Sequence, residues 1–596
     1  MRKGAALSVG SDRMDFSEEQ KRYLEGLGRG LAVARAAQAS TTTTAPNGPD
    51  GIGFAAQDRF LAAGKSLSKE EEAKRAQNGL DMWDLIAANA SKGEFPKGSD
   101  VFLYKFHGLF YVAPAQDSFM LRLRVPNGIL DANKLGVLAD LADDHGGGYA
   151  HVTTRANLQI REIGARAPLE ILERLAESGL TSRGAGADNI RNITGGPTAG
   201  IDPQELYDTR PLGLGLHHAI LNHRELYGLP RKFNIAFDGG GAVSSLEDTN
   251  DIGFSAVRVG AGKCLAEGVY FRVAVGGITG HGDFATDLGV AILPEQCVPV
   301  ALAMARVFID EGDRTDRKRA RLKYVLERMG REAFLAAAEK RLPAPLARLP
   351  YSECEPRPKV RRDAHTGFHP QKQPGKVYCG VSLPLGRITA SQMREVASIA
   401  RRFGSGTIRL TVWQNLIISD IAAQDESAVR AQVAKIGLCV GASQLRAGFV
   451  ACTGNTGCRF AASNTKGHAL EALGYLERRI DLNTPINIHL TGCPNSCAQH
   501  YIGDIGLLGT KVPRGEDSEI EGYHLYLGGG YGERRELARE VMRNVPHNEL
   551  PQVLERILGA YLAHRNSTAE SFQDFAKRHS PETLRELAEK PVPEHA

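Results

Sequence analysis

Short runs with helical or alternating apolar spacing fill the chain, separated by glycine-rich breaks, and no run of 18 or more apolar residues occurs that could cross a membrane as a helix. Near the start, FSEEQKRYLEGLGRGL reads as a short amphipathic helix capped by Ser17 with Glu19 nearby, and STTTTAPNGPDG reads as a linker. Residues 1–80 are therefore predicted to be peripheral, with little chemistry.

A repeat carries more information. Slid against itself by 258 residues, the sequence overlays 126–160 on 384–418 without a gap, and 11 of these 35 positions are identical. Each copy reads as helix, glycine turn, strand. In the second, Thr389 with Gln392 forms a capping box, Gly404 and Gly406 stop the helix, and IRLTVWQNLII extends. The match continues more loosely: Thr194 and Gly195 fall on Thr453 and Gly454, NIAF at 234 on NIHL at 487, and VGG at 275 on LGG at 527. An α/β (α+β) protein of two related halves follows, with a cofactor held between them able to take different groups from equivalent positions.

Composition sets the outer limits. A chain of 596 residues holds about three to five folding units. With 42% hydrophobic and 24% charged residues it is an ordinary globular protein, and a net charge of +4 argues against a general nucleic-acid binder. The start, MRKGAALSVGSDRMDF, lacks the apolar core and cleavage site of an export signal. Of nine cysteines, Cys264, Cys297, Cys354, Cys379 and Cys439 are scattered singly, as in a reducing compartment, so a cytoplasmic protein is expected.

The other four are grouped. ACTGNTGC carries Cys452 and Cys458, and TGCPNSC carries Cys493 and Cys497, each pair in a glycine-rich turn whose amides can approach sulfur. Four thiolates could hold a cubane iron–sulfur cluster. Zinc is the alternative, although its ligand pairs usually lie about two to four residues apart and here five separate the first two. Cations, in contrast, are concentrated in the first half: Arg122 and Arg124 in MLRLRVP, Arg155 and Arg161 in TTRANLQIR, Arg191 in DNIRNI, and Arg231 and Lys232 in LPRKFN. Any one alone reads as a solvated charge; together they suit a carboxylate-rich cofactor or an anionic substrate.

ACTGNTGC followed by TGCPNSCAQHYIGDIGLLG resembles the siroheme-containing nitrite and sulfite reductases, and the likeness spans about residues 95–560 with the duplicated halves. The resemblance implies that Cys452, Cys458, Cys493 and Cys497 hold a [4Fe–4S] cluster and that Cys497 also bridges to siroheme iron. It further implies that Arg122, Arg191, Lys232 and Asn234 surround the open face where substrate binds and protons arrive, while Arg155, Arg161 and Arg231 hold siroheme carboxylates. Sulfite reductases of the family usually carry a second lysine where this chain has Asn234, and a monoanion needs less compensation than a dianion. Nitrite reduction to ammonia is the implied activity, sulfite reduction the alternative, and ferredoxin the implied donor, since no nicotinamide or flavin module is visible. The implied layout has five parts: a peripheral 1–80; ferredoxin-like half-domains at 81–170 and 346–430; a siroheme and substrate domain at 171–345; and a cluster domain at 431–596. A monomer is expected.

Several motifs carry less. RVGAGKC around Lys263 lacks the glycine and hydroxyl of a phosphate loop, and GLGLHH at 213 lacks the third glycine of a dinucleotide fingerprint. GDRTDRKRARLKYVLE from 312 reads as a solvated helix face, as cations near the cofactor, or as a docking surface for an acidic ferredoxin. Trp83 and Trp413 lie in apolar contexts and read as core.

Overall fold

The computed structural model describes residues 48–590 apart from 442, 516 and 517. The helix predicted near Ser17 and Glu19 and most of the linker after it lie outside the described residues.

The repeat is written into the backbone. Helix Ala132–His145 and helix Ala390–Phe403 begin and end 258 residues apart, capped by Asp131 and Thr389 and stopped at Gly146 and Gly404. The capping box forms: the Thr389 hydroxyl accepts from Gln392 N at 3.2 Å, and the Gln392 amide accepts from Thr389 N at 3.0 Å. Three non-glycine pairs at the same offset share a left-handed backbone: Asn127 with Leu385, Ala156 with Gln414, and Glu162 with Asp420.

One expectation is corrected here. IRLTVWQNLII is not one strand but two, Thr407–Leu410 and Leu416–Ala422, paired antiparallel. Thr411 N donates to Asn415 O and Gln414 takes a positive φ, so the chain reverses at Val412–Gln414 with Trp413 in the turn. The first copy makes the same turn between Tyr149–Val152 and Leu158–Ile163, and places Arg155 where the second places Trp413.

Strands cross between the copies. One sheet runs Leu109–Tyr111, Phe119–Arg122, Leu158–Ile163, Tyr149–Val152, and closes with Arg387–Thr389 from the second copy. Its counterpart runs Gly367–Pro370, Lys376–Ser382, Leu416–Ala422, Thr407–Leu410, and closes with Ile129–Asp131 from the first. The registers mirror each other, Ile388 opposite Ala150 and Leu130 opposite Ile408. Each half thus supplies an edge strand that the other would lack.

Two larger five-stranded sheets also share one order. In the first, Thr194–Gly195, Ile235–Asp238 and Ile252–Val259 are parallel, and Gly268–Val275 and Thr286–Ile292 continue antiparallel. In the second, Phe449–Ala451, Ile488–Thr491 and Ile505–Pro513 are parallel, followed by Glu519–Leu527 and Arg539–Pro546. Loops leaving the carboxyl ends of adjacent parallel strands are neighbours, and both cysteine motifs leave there.

The segment before residue 80 is less peripheral than its sequence suggests. Helix Lys69–Ala76 buries Glu71 and Lys74. Arg314 donates to Glu71 at 2.7 Å, Lys74 pairs with Glu71 and lies 3.4 Å from Asp188, and Arg317 meets Asp188 at 2.6 and 2.9 Å. Arg321 reaches Asp251 at 2.8 Å. The basic run from 312 is therefore no solvated helix face: its helix starts only at Leu322, and Arg314 and Arg321 are buried on carboxylate partners. Of the two tryptophans, Trp413 is buried and Trp83, at the start of helix Trp83–Lys92, is exposed.

Candidate cofactor and anion site

Phe449–Ala451 pairs in register with Ile488–Leu490, so the two cysteine loops start side by side. Cys452 N donates to Leu490 O at 3.0 Å, and Gly492 N lies 3.2 Å from Cys452 Sγ, an amide aimed at sulfur. The second loop winds tightly, with Ser496 and Gln499 both left-handed on either side of Cys497. Ser496 N bonds Cys493 O, Ala498 N bonds the Thr491 hydroxyl at 3.1 Å, and Ser496 Oγ and His500 Nδ1 lie 2.9 Å apart.

First-half groups hold these loops in place. Thr154 Oγ1 donates to Cys497 O at 2.9 Å, and Gln499 Nε2 donates to Thr249 Oγ1 at 2.9 Å. Arg161 donates to Thr453 Oγ1 at 2.8 Å and to Gly457 O at 3.3 Å. A Cβ on Gly457 would come 2.7 Å from the Arg161 guanidinium, which explains a glycine there.

Among the described residues no three His, Cys, Asp or Glu side chains converge as the ligands of one metal ion would. Yet the four cysteines lie near enough that Cys497 feels the other three thiols as charges.

Cys497 is exposed, and its backbone carbonyl is held by Thr154 of the first half. Burial pushes its thiol up to about 11, and Lys232 is the cation that most opposes this. Arg122 feels the same sulfur. Cations of the first half thus lie within electrostatic reach of a sulfur of the second.

Local pairing explains how the cations get there. Ile190 and Phe233 form a parallel bridge, with Arg191 N donating to Phe233 O at 2.8 Å. Phe233 is buried against Phe308, so Lys232 and Asn234 on either side of it share the opposite face. Neither the Lys232 ammonium nor the Asn234 side-chain amide has a hydrogen-bond partner among the described residues, while Asn234 N donates to Asp251 at 2.8 Å. Burial, then Arg321, lowers Lys232 to about 7.

The remaining cations divide. Arg122 lies over the Phe110 ring at 4.4 Å, and burial lowers it to about 10. Arg155 donates to Asn250 and to the Asn192 carbonyl, both at 2.7 Å, and Arg191 donates to the Ala185 and Ala187 carbonyls. Nε of Arg155, Arg161 and Arg191 is buried without a partner. Arg231 stands 3.8 Å from Asp188. Arg124 is buried on the Ile190 carbonyl at 2.7 Å and serves the fold, although its Nε too has no partner. Three cations were missed as candidates: Lys105, lowered by burial to about 8 and near Arg191; Arg321, near Lys232; and Lys466, near Cys452. Only Arg321 stood in a motif that pointed here.

Comparison with known proteins agrees with this layout. The model of the nitrite and sulphite reductase 4Fe-4S domain matches residues 186–346 and 443–596, and that of the nitrite/sulfite reductase ferredoxin-like half domain matches 112–178 and 369–436. The chain is 36% identical to ferredoxin–nitrite reductase of Synechococcus elongatus, over 83% of this chain and 97% of the relative. It is 30% identical to the assimilatory ferredoxin-dependent nitrite reductase of Haloferax mediterranei, over 88% and 93%. Among solved structures, the Mycobacterium tuberculosis NirA protein superposes with a TM-score of 0.81 at 28% identity, covering 88% of this chain and 99% of that one.

Proposed function

The chain belongs to the nitrite and sulphite reductase family, and we propose that it reduces nitrite to ammonia with electrons from a separate ferredoxin. The cofactors would be a siroheme and the [4Fe–4S] cluster of the family's domain. The single observation that carries this reading is that Thr154 of the first half holds the backbone of Cys497 in the second, within electrostatic reach of Lys232 and Arg122.

The residues present fit both groups. Four thiols line neighbouring loops with an amide aimed at one sulfur, and the Lys232 ammonium beside them has no hydrogen-bond partner among the described residues. When bound, the paired cofactors supply an iron that takes the anion and a store of electrons for a six-electron reduction. Cys452, Cys458, Cys493 and Cys497 would hold the cluster, with Cys497 within electrostatic reach of Lys232 and Arg122. Arg155 and Arg231 would meet siroheme carboxylates. Arg161 would spend its terminal nitrogens on the cysteine loop and offer only Nε to a carboxylate.

Four side chains would handle the substrate. Arg122 and Arg191, charged at any working pH, attract and orient the nitrite oxygens. Lys232, whose ammonium has no protein partner and is lowered to about 7, can hold a proton and pass it to a departing oxygen. Asn234 adds a neutral donor where a second cation would favour a dianion. Sulfite reduction is the second reading, and Asn234 is the observation that disfavours it. Turnover of each anion with reduced viologen and then with reduced ferredoxin decides: nitrite is expected to be preferred, and faster sulfite turnover would reverse the assignment. A reducing compartment such as the cytoplasm suits nine unpaired cysteines.

A further inference from the structure

One buried cation beside the cysteine loops has no role in the preceding account. Lys466 sits in the first turn of helix Thr465–Leu476, and its ammonium donates to the Leu385 carbonyl. Among the described residues it forms no ion pair. Its charged neighbours are Arg161 and Arg387, and the one group that favours its charge is Cys452. His151, also close by, is buried with neither ring nitrogen partnered and stays neutral, so it offsets nothing. A buried ammonium among other cations is costly unless some negative group compensates. Among the described residues no carboxylate pairs with it.

One donor aims at that sulfur: Gly492 N lies 3.2 Å from Cys452 Sγ. The Thr465 hydroxyl donates to the Cys452 carbonyl at 2.8 Å and lies 3.5 Å from its sulfur, which seats the first turn of the helix, with Lys466 in it, against the cysteine. Cys452 therefore lies at the amino-terminal end of a 12-residue helix, with one amide donor on its sulfur and the Lys466 ammonium nearby, which burial lowers to about 7. Four thiolates around a four-iron core leave a net negative charge, which is the compensation that Lys466 lacks.

We propose that Lys466, with the Gly492 amide, raises the reduction potential of the cluster so that one electron passes to it from ferredoxin. In that step the donor loses one electron and the cluster gains it; positive charge and hydrogen bonds to sulfur stabilise the more negative product. The inference rests on the four cysteines being the cluster's ligands. It adds a residue that touches neither substrate nor iron and acts through the field at Cys452.

The test is a potentiometric titration of the holoenzyme, following the reduced cluster by electron paramagnetic resonance in wild type, Lys466→Met, Lys466→Arg and Lys466→Gln, the last keeping a neutral donor for the Leu385 carbonyl. Lys466→Met is expected to lower the midpoint by about 59 mV or more, a tenfold loss in the equilibrium constant for one-electron reduction. Lys466→Arg should stay near wild type, and Lys466→Gln should shift as Lys466→Met does. Ferredoxin-driven turnover of Lys466→Met should fall, and a stronger reductant should restore it. An unchanged midpoint in a fully loaded Lys466→Met protein overturns the inference, as does an equal shift in Lys466→Arg. Should Lys466→Met fail to assemble its cluster, Lys466→Gln decides, and an unmoved midpoint there overturns it too. Wild-type protein without iron and sulfide would instead overturn the cluster reading itself.

Discussion

The residues that define the chemistry are those whose partners the protein does not supply. Among the described residues the Lys232 ammonium and the Asn234 side chain have no hydrogen-bond partner, and Cys497 is exposed with Lys232 as the cation that most favours its thiolate. Substrate choice rests on one of them. Asn234→Lys should raise the sulfite-to-nitrite ratio of kcat/KM by about tenfold, or about 1.4 kcal/mol, because a second cation favours the dianion. Steady-state assays of both anions check this, and an unchanged ratio would remove Asn234 from the account. The cysteines were legible in the sequence because ligand spacing is local. Lys105 and Lys466 were not, because a lone lysine carries no sign of what it will face; burial against Cys452 or Arg191 is decided by segments far apart in the chain.

Among the elements, the repeat was legible where it obeys local rules and hidden where it depends on partners. Thr389, Gln392 and Gly404 announced their helix because caps act within a few residues. The turn at Trp413 was missed because Gln414 adopts the left-handed backbone without being glycine. The crossing of Ile129–Asp131 and Arg387–Thr389 between sheets was equally hidden, since nothing in a three-residue strand names its partner. Equivalent turns end differently. Arg155 faces the site, whereas Trp413 packs on His365, His489 and Tyr531 at 5.7, 6.2 and 4.8 Å between ring centroids and fills the corresponding place. Helix Lys69–Ala76 gives a prediction at this scale. Glu71→Ala leaves Lys74 and Arg314 buried without their shared carboxylate and should cost about 3–5 kcal/mol. Denaturant unfolding measures it, and a cost under about 1 kcal/mol would mean the network is not needed.

For the whole molecule, the duplication puts the cysteine loops and most of the candidate cations in different halves, and hydrogen bonds from Thr154 to Cys497 and from Arg161 to Thr453 join them. Large sheets of one strand order place their loops alike, so the fold class was readable from the repeat while the convergence was not. Burial has a global consequence as well. Desolvation lowers His107, His365 and His489 to about 4, His217 and His500 to about 3, and His151 to about 2. Each binds its proton more readily unfolded, near about 6.5, than folded. Their contribution is full above that value and is lost as pH falls through it toward 4, so the melting temperature should drop between pH 7 and 5. A flat profile would show that these rings are not buried as described.

The central claim is that two unlike sets of side chains enclose one pair of cofactors. Its most direct test is the absorption spectrum of the pure protein before and after nitrite. A Soret-like band with the red band of an isobacteriochlorin, both shifting when nitrite is added, is the predicted result. A spectrum with only an iron–sulfur shoulder, or macrocycle bands indifferent to nitrite, would contradict it.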